Sequence, residues 1–286
     1  MEPKIILQRY MNLPKFMYLL QEKALFLPKM SKFSDHLEGG LTARDYFARS
    51  NEAAIIDLAL NALFPTGQKP DSDRQRQLSR AEALQKTLMD RTFETPFGSY
   101  NCEEIEKLFV RCREWLYVSC WHKSPHECAA MWSLYGGDKN SICLFTSMEK
   151  IQSQVYSKES NQNIIFQEIS YLDHGTAPFQ ASSLAPFISK AMPFSFEKEV
   201  RVICYDPAID LKVSEENPEN GKRLDIRSLN ELIDSIVVSP TADAWFVALI
   251  KNLCSSYKLD AKVNESSLKT NRIDNFFDAF SQLTWR

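Results

Sequence analysis

Two carboxylates stand two residues apart in the segment Phe194-Ser195-Phe196-Glu197-Lys198-Glu199-Val200-Arg201. Because side chains alternate along a strand, an extended segment would place Glu197, Glu199 and Arg201 on one face. Carboxylates roughly 7 Å apart raise each other's pKa, and a guanidinium beside them opposes that effect. Such groups can stabilise a developing positive charge or move a proton, so Glu199 and Glu197 are catalytic candidates. The alternative is an edge strand with a solvated, charged outer face.

A second polar segment runs from Cys120 to Cys128 and contains two thiols and two imidazoles. Zinc takes these ligand types, but structural zinc sites use two separated ligand pairs around a loop. Here the end of a predicted strand leads directly into a helix predicted to start at Ser124-Pro125, so we expect no metal. His122 lies at the strand end, near the positive end of that helix, and is the histidine best placed for catalysis.

Aromatic side chains and one arginine add candidates for binding a substrate. Trp132 and Tyr135 stand three residues apart and share one face of a predicted helix. Trp132 is expected in the core, whereas Tyr135 at the helix end can reach a pocket. Arg9-Tyr10 ends the first predicted strand, where an arginine in an apolar run needs a carboxylate or a bound anion.

Composition and motifs exclude several classes of protein. The chain has 286 residues and a net charge of -3, which gives no overall attraction to nucleic acid but leaves a local basic patch open. The sequence lacks GxGxxG, GxxxxGK followed by Ser or Thr, and GxSxG. Seven cysteines, an odd number, and the lack of a leader segment predict a cytoplasmic location. The apolar runs are too short for a membrane helix, so we expect no membrane partner.

The apolar pattern predicts strands and helices in an irregular order. Strands are predicted at 4–10, 24–27, 115–121, 142–145, 164–171, 200–204, 233–238 and 261–263, and helices at 14–23, 102–113, 124–135 and 242–257. Residues 42–114 are predicted to form a mainly helical insertion, which includes a charged helix at 74–92. The expected fold is a single α+β domain spanning 1–286, with a mixed β-sheet core and flanking helices.

Several stretches together resemble a bacterial family catalogued as domain of unknown function 2971. They are Arg9-Tyr10, residues 25–35, Cys120-Trp121-His122, Glu127 with Met131 to Tyr135, residues 196–201, Ile236 to Pro240 and Asn264 to Lys269. The resemblance covers nearly the whole chain apart from 42–114. Where the family typically reads Phe-Asn-Asp-Pro-Phe-Glu, this chain has Phe33-Ser34-Asp35-His36-Leu37-Glu38, so a turn set by proline is missing.

The layout is also similar to that of ADP-ribosyltransferases, which split NAD. In both, a first strand ends in Arg or His, a helix leads into a second short strand, and a later strand carries Glu-x-Glu. The similarity implies that Glu199 stabilises an oxocarbenium-like transition state without a metal. It also implies cofactor-binding roles for Arg9, Tyr10, Trp121, Tyr135 and Arg201, with Trp121 or Tyr135 against the nicotinamide. The Ser-x-Ser or Ser-x-Thr of the arginine-specific subgroup has no counterpart here.

The similarity suggests NAD as substrate, a protein or nucleic-acid acceptor, and a role in bacterial conflict or phage defence. Two other functions fit the same residues. A non-catalytic sensor module would bind a ligand or partner in the same cleft without turnover. A nuclease-like hydrolase would gather Asp35, Glu38, Glu197 and Glu199 around a divalent ion. We expect Glu199→Gln to abolish activity and to leave the melting temperature nearly unchanged.

Overall fold

The computed structural model describes residues 4–35, 38–40, 42, 75, 79, 86, 92–101, 105–179, 182–214 and 216–269. The predicted insertion at 42–114 lies largely outside these residues. Of that region the structure describes a hairpin, most of one helix and a few isolated positions. The predicted charged helix at 74–92 also lies largely outside the described residues.

The described residues form fourteen strands, and most of the predicted strands are among them. They are β1 (Ile6–Asn12), β2 (Ala24–Pro28), β3 (Thr92–Thr95), β4 (Gly98–Asn101), β5 (Tyr117–Lys123), β6 (Ser141–Ser147), β7 (Val155–Tyr156), β8 (Asn163–Glu168), β9 (Ser170–Leu172), β10 (Ser189–Ala191), β11 (Glu199–Tyr205), β12 (Gly221–Ile226), β13 (Ser235–Val238) and β14 (Lys262–Glu265).

Helices in the described part of the chain are short, except for three that pack on the sheets. They are α1 (Leu13–Glu22), α2 (Ile105–Trp115), α3 (Ala129–Met131), α4 (Met148–Gln154), α5 (Leu229–Leu232) and α6 (Ala244–Ser256). A π-helical turn, Trp132–Gly136, follows α3 directly. A 3-10 turn, Met192–Glu197, precedes β11. None of the helices among the described residues is long and apolar enough to cross a membrane.

The central element is a seven-stranded sheet with the order β14-β13-β6-β1-β5-β11-β8. Its strand pairs are antiparallel except β13 with β14, which is parallel. A three-stranded sheet, β2-β12-β7, lies beside it. The predicted α+β fold with a mixed sheet and flanking helices is therefore confirmed.

The two faces of the large sheet are covered differently. One face packs against α1 and α6 and forms the main core, which includes Phe16 and Phe246. Helix α1 begins after Asn12, whose side chain accepts a hydrogen bond from the Lys15 amide, with a proline in the first turn. The other face carries two smaller apolar clusters, one around Ile203 and one around Tyr10. Polar side chains of β5 and β11 share this second face.

The sheet opens between β1 and β5. These strands pair only through Leu7 and Gln8, whereas β1 stays paired with β6 from Ile6 to Asn12. From Arg9 onward β1 therefore no longer pairs with β5.

The predicted helix at 124–135 is wrong in its first half, because the chain is not helical before Ala129. The Ser124 hydroxyl accepts a hydrogen bond from the His126 amide and closes a local turn instead of capping a helix. Glu127 accepts hydrogen bonds from Trp132 Nε1 and from the Ser266 hydroxyl. The predicted strand at 164–171 is divided into β8 and β9.

Candidate active site

Glu199 and Arg201 lie on an interior strand. Strand β11 is hydrogen-bonded to β5 on one side and to β8 on the other, and all its residues are buried. Glu199 is 5% exposed and Arg201 is 0% exposed. The interpretation of this segment as a solvated edge strand is therefore wrong.

Glu197 reaches the same site by a different route from the one predicted. Residues Met192–Glu197 form a 3-10 turn with a proline near its start, and Lys198 adopts a left-handed conformation with φ of 42°. The extended segment begins only at Glu199, so the predicted alternation from Phe194 onward is wrong. Proline fixes its own φ near the helical value, which favours the turn over a strand.

Arg201 is surrounded by acceptors. Its Nε lies 2.6 Å from Glu199 Oε1, and its terminal nitrogens lie 2.6 Å from Glu38 Oε2 and 2.8 Å from the Phe187 carbonyl oxygen. A guanidinium held on three sides and shielded from water has no face left for a ligand. The predicted cofactor-binding role of Arg201 is therefore corrected: it positions Glu199.

Lys190 of β10 meets the same carboxylates from the other side. Its Nζ lies 2.6 Å from Glu197 Oε2, 3.0 Å from Glu38 Oε1 and 3.5 Å from Glu199 Oε2. We call Glu38, Lys190, Glu197, Glu199 and Arg201 the carboxylate cluster. With its acids ionised it holds three negative and two positive charges, so one negative charge is in excess.

The electrostatics of this cluster favour the ionised forms. Burial alone would raise the pKa of Glu199, but the Arg201 charge and hydrogen bonds, with Lys190 beside them, bring that pKa below its usual value. Burial alone would lower the pKa of Lys190, and the neighbouring carboxylates reverse that shift. The predicted mutual raising of carboxylate pKa values is therefore outweighed at Glu199.

Two tyrosines contact the acidic residues, one through a carboxylate and the other through a backbone amide. The π-helical turn brings the Tyr135 hydroxyl to Glu197 Oε1, to which it donates a 2.7 Å hydrogen bond. Tyr135 remains 46% exposed, so one face of its ring is open to solvent. On β9, the Tyr171 hydroxyl accepts a 2.7 Å hydrogen bond from the Glu199 amide, and burial raises the pKa of Tyr171 to about 12.

Cys120 marks the opening of the site. It lies opposite Arg201 across the β5–β11 ladder, and its thiol is close enough to Glu199 for each group to affect the pKa of the other. Its side chain reaches solvent, although the protein packed around it raises the pKa of the thiol well above the usual value. An exposed side chain therefore lies beside the buried Glu199 carboxylate.

His122 lies directly opposite Glu199 in the ladder and is buried. Its Nδ1 lies 2.5 Å from the Glu197 carbonyl oxygen, so Nδ1 donates the hydrogen bond. Burial lowers the pKa of His122, which keeps the ring neutral at pH 7. With Nδ1 occupied in this way, His122 holds the Glu197 backbone in place.

Arg9 is half-buried at the point where β1 leaves β5. Its guanidinium carbon lies 5.4 Å above the Trp121 ring, and burial lowers the pKa of Arg9 to about 10. Among the described residues no carboxylate forms an ion pair with it, and Cys120 is the neighbour that affects its charge. An arginine in an apolar run needs a carboxylate or a bound anion. Since no carboxylate in the described part of the chain pairs with Arg9, a bound anion is the partner that remains.

Two predicted cofactor contacts are corrected. Trp121 is buried in the main core, where its Nε1 donates to the Ser119 hydroxyl. Tyr10 is buried too, and its hydroxyl donates to Gln8 Oε1 and accepts from the Cys128 amide. Neither ring has an open face for nicotinamide. Trp121 instead supports Arg9 from below, and Tyr135 is the exposed aromatic ring of the site.

The three carboxylates do not surround a vacant centre. Lys190 Nζ lies within 3.5 Å of an oxygen of each, where a divalent ion of a nuclease-like site would have to lie. In the described ranges no group of three or more His, Cys, Asp or Glu side chains is arranged to hold a metal ion.

No protein-family model matches the chain, and no curated protein matches it. Membership in the family of domain of unknown function 2971 stays a prediction. Two solved structures are similar, both of DarT from Thermus sp. 2.9. The complex with carba-NAD+ shares 9% identity and covers 94% of this chain and 97% of its own, with a TM-score of 0.36. The complex with ADP-ribosylated ssDNA shares 9% identity and covers 93% and 95%, with a TM-score of 0.36. At this level neither match assigns chemistry to this chain.

Proposed function

We propose that this protein is an ADP-ribosyltransferase-like enzyme that cleaves NAD between ribose and nicotinamide. The observation that carries the proposal is that Cys120 is a close neighbour of two charged groups, Arg9 and Glu199. Arg9 contributes a cation without an acidic partner among the described residues. Glu199 contributes a fixed, ionised carboxylate. NAD carries the complementary features, a diphosphate anion and a cationic nicotinamide ring.

Glu199 is suited to the reacting carbon. Breaking the bond to nicotinamide develops positive charge on the ribose, and a fixed carboxylate stabilises that charge without rearranging. Arg201 and Lys190 occupy only part of the accepting capacity of the carboxylate, since each oxygen has two lone pairs. The lone pairs that remain can accept a hydrogen bond from a ribose hydroxyl at the cleft edge.

Tyr135 and Arg9 are placed to hold the two ends of the substrate. Tyr135 offers an exposed ring, held in place by its bond to Glu197, for stacking on nicotinamide. Arg9 presents a planar fork of donors, which suits two oxygens of a diphosphate. The excess negative charge of the carboxylate cluster disfavours a phosphate beside Glu199, so it orients the nicotinamide end toward the cluster.

The reaction balances with the groups at hand. The bond from ribose C1′ to the nicotinamide nitrogen breaks, and its electron pair leaves with nicotinamide. A nucleophilic oxygen or nitrogen of the acceptor, or water, then bonds to C1′ and loses a proton to solvent. The acceptor is a protein or a nucleic acid, and we propose a role in bacterial conflict such as phage defence.

Release of nicotinamide tests this proposal. Purified protein with millimolar NAD and EDTA should release nicotinamide, Glu199→Gln should not, and Glu114→Gln should match the wild type. Glu114 is the control because it also pairs with a buried lysine but lies outside the site. NAD binding without release, with protein and nucleic-acid acceptors present, would favour the sensor module. Release of a nucleotide that requires a divalent ion would favour the hydrolase, and the absence of both binding and release would contradict the proposal.

A further inference from the structure

Lys190 was not anticipated from the sequence, yet it contacts more of the cluster than any other side chain described. An ammonium group has three hydrogens to donate. Here three carboxylates lie around it, those of Glu38, Glu197 and Glu199. Glu197 and Glu199 stand two residues apart and Glu38 lies far from both in the sequence, so Lys190 joins segments that no local pattern connects.

Two features make this ammonium more than a structural ion pair. It is buried, and its remaining side contacts the Phe194 ring at 4.8 Å, so water is a poor substitute for it. Removing it would leave three buried carboxylates with Arg201 alone. Close carboxylates cannot all stay ionised under those conditions, and one of them would take up a proton.

We propose that Lys190 is a positioning residue whose ammonium offsets the charge of the three carboxylates and holds Glu199 in place beside Cys120. The consequence for catalysis rests on the proposed function, whereas the consequence for proton binding does not. Without Lys190, Glu199 would share a proton with its neighbours at neutral pH and would stabilise an oxocarbenium ion poorly.

Every titratable group that faces the cluster enters this balance. They are Glu38 before Gly39, Cys120 and His122 on β5, Tyr135 in the π-helical turn, Tyr171 on β9, Lys190 on β10, Glu197 in the 3-10 turn, and Glu199 and Arg201 on β11. Cys120, Tyr135 and Tyr171 have raised pKa values and stay neutral at pH 7. His122 has a lowered pKa and is neutral too. The proton taken up would therefore lie on a carboxylate.

The first test measures stability against pH and needs no catalytic activity. In Lys190→Met a carboxyl group would have a folded pKa above its unfolded value, so its stabilising effect is present at low pH and is lost as pH rises. We expect the melting temperature of Lys190→Met to fall between pH 5 and pH 8, while that of the wild type does not. Lys190→Arg should behave like the wild type. Lys139→Met, which removes an exposed lysine, is the matched control.

A double variant keeps the proposal testable if Lys190→Met does not fold. Lys190→Met with Glu38→Gln removes one charge of each sign and leaves the same single excess negative charge. It should fold, and its melting temperature should follow pH as the wild type does. A double variant with the same fall toward pH 8 as Lys190→Met, or a Lys190→Met variant with no such fall, would overturn the proposal.

The second test is the pH profile of nicotinamide release. In Lys190→Met the acid side of the pH–activity profile should move to higher pH by at least about one unit, and activity should be partly recovered at high pH. Lys190→Arg should have the wild-type profile. A purely structural role would lower activity equally at all pH values, which would overturn the positioning role. If no variant releases nicotinamide but the stability profiles differ as expected, the NAD proposal fails and the charge balance set by Lys190 stands.

Discussion

Two ionic clusters among the described residues differ in construction. We call Lys29, Glu114, Tyr117, Asn217, Glu219 and Lys222 the Lys29 cluster. In it Lys29 Nζ lies 2.9 Å from Glu114 Oε2, and Lys222 Nζ lies 2.9 Å from Glu219 Oε2. Each acid has one lysine and is partly exposed. The carboxylate cluster instead buries three acids around two cations.

The two clusters differ in the segments that they connect and in their effect on the stability of the fold. The Lys29 cluster ties α2 to the loop before β12, since Asn217 donates to the Glu114 carbonyl oxygen and to the Tyr117 hydroxyl. Its acids reach water, as expected of a structural contact. Burying an excess charge is unfavourable for folding, so the carboxylate cluster is better explained by chemistry than by stability.

The largest expected effect is a loss of nicotinamide release when an acid of the carboxylate cluster, and not one of the Lys29 cluster, is replaced. Glu199→Gln should lower nicotinamide release by at least about 1000-fold, because it removes the charge opposite the developing cation. Glu114→Gln should stay within about twofold of the wild type, since Glu114 has no part in positioning the substrate. Steady-state kinetics on both variants checks this, and equal losses would remove the distinction between the clusters.

The structure also changes the expected stability of Glu199→Gln. Arg201 is fully buried and loses one of its two carboxylates, so the free energy of unfolding should fall by about 3 kcal/mol. The expectation of an unchanged melting temperature is therefore withdrawn. Kinetics should be measured at a temperature where circular dichroism shows the variant folded.

A second prediction concerns the backbone that delivers Glu38. Gly39 has φ of 73°, and a Cβ there would lie 2.9 Å from Arg113 Cγ and 3.1 Å from Phe187 Cδ1. Gly39→Ala should cost about 2 kcal/mol and displace Glu38 from the cluster. Gly137→Ala is the control, since its φ of 83° is similar but nothing lies within 4 Å. Urea denaturation should show a larger loss of unfolding free energy for Gly39→Ala than for Gly137→Ala. Equal losses would mean that backbone strain alone explains the effect and that contacts of the added Cβ do not contribute.

The third prediction compares one tyrosine from each cluster. Tyr135→Phe removes the hydroxyl bonded to Glu197 and should lower kcat about tenfold while keeping the ring. Tyr117→Phe removes the hydroxyl that donates to Glu219 and should cost about 1 kcal/mol without changing kcat. A kcat loss in Tyr117→Phe, or none in Tyr135→Phe, would contradict the assignment of the two clusters.

The smallest effect is a pH dependence from His122. Its pKa is lowered by burial, so its contribution to stability is complete above the unfolded pKa of about 6.5 and is lost as pH falls through the folded pKa. As pH falls below about 6.5 the wild type should therefore lose stability that His122→Gln does not lose, as urea denaturation at several pH values can show. His126→Gln, at an exposed position, should keep the wild-type pH dependence.

The sequence predicted the strands better than it predicted the site. Apolar and β-branched runs identify strands because the pattern is local, and β5, β6 and β11 fall within two residues of their predicted bounds. Alternation also placed Glu199 and Arg201 on one face. The same alternation sets Trp121 with Tyr117 on the core face, a signal that argues against a nicotinamide contact.

What the sequence could not show depends on contacts between distant segments. Glu38 and Arg201 stand 163 residues apart, and nothing in the local pattern pairs them. Lys190 stands seven residues before Glu197, and the 3-10 turn that returns the chain between them was predicted as extended. The gap between β1 and β5 depends on strand pairing, which residue types do not specify.

The central claim is that the opening at the carboxylate cluster, and not the Lys29 cluster, binds NAD. Hydrogen–deuterium exchange with an NAD analogue whose glycosidic bond cannot be cleaved tests this most directly. We predict slower amide exchange at 132–136 and 192–198 and no change at 206–220, the loop of the Lys29 cluster. Unchanged exchange at both of the first two segments, or slower exchange confined to 206–220, would contradict the account.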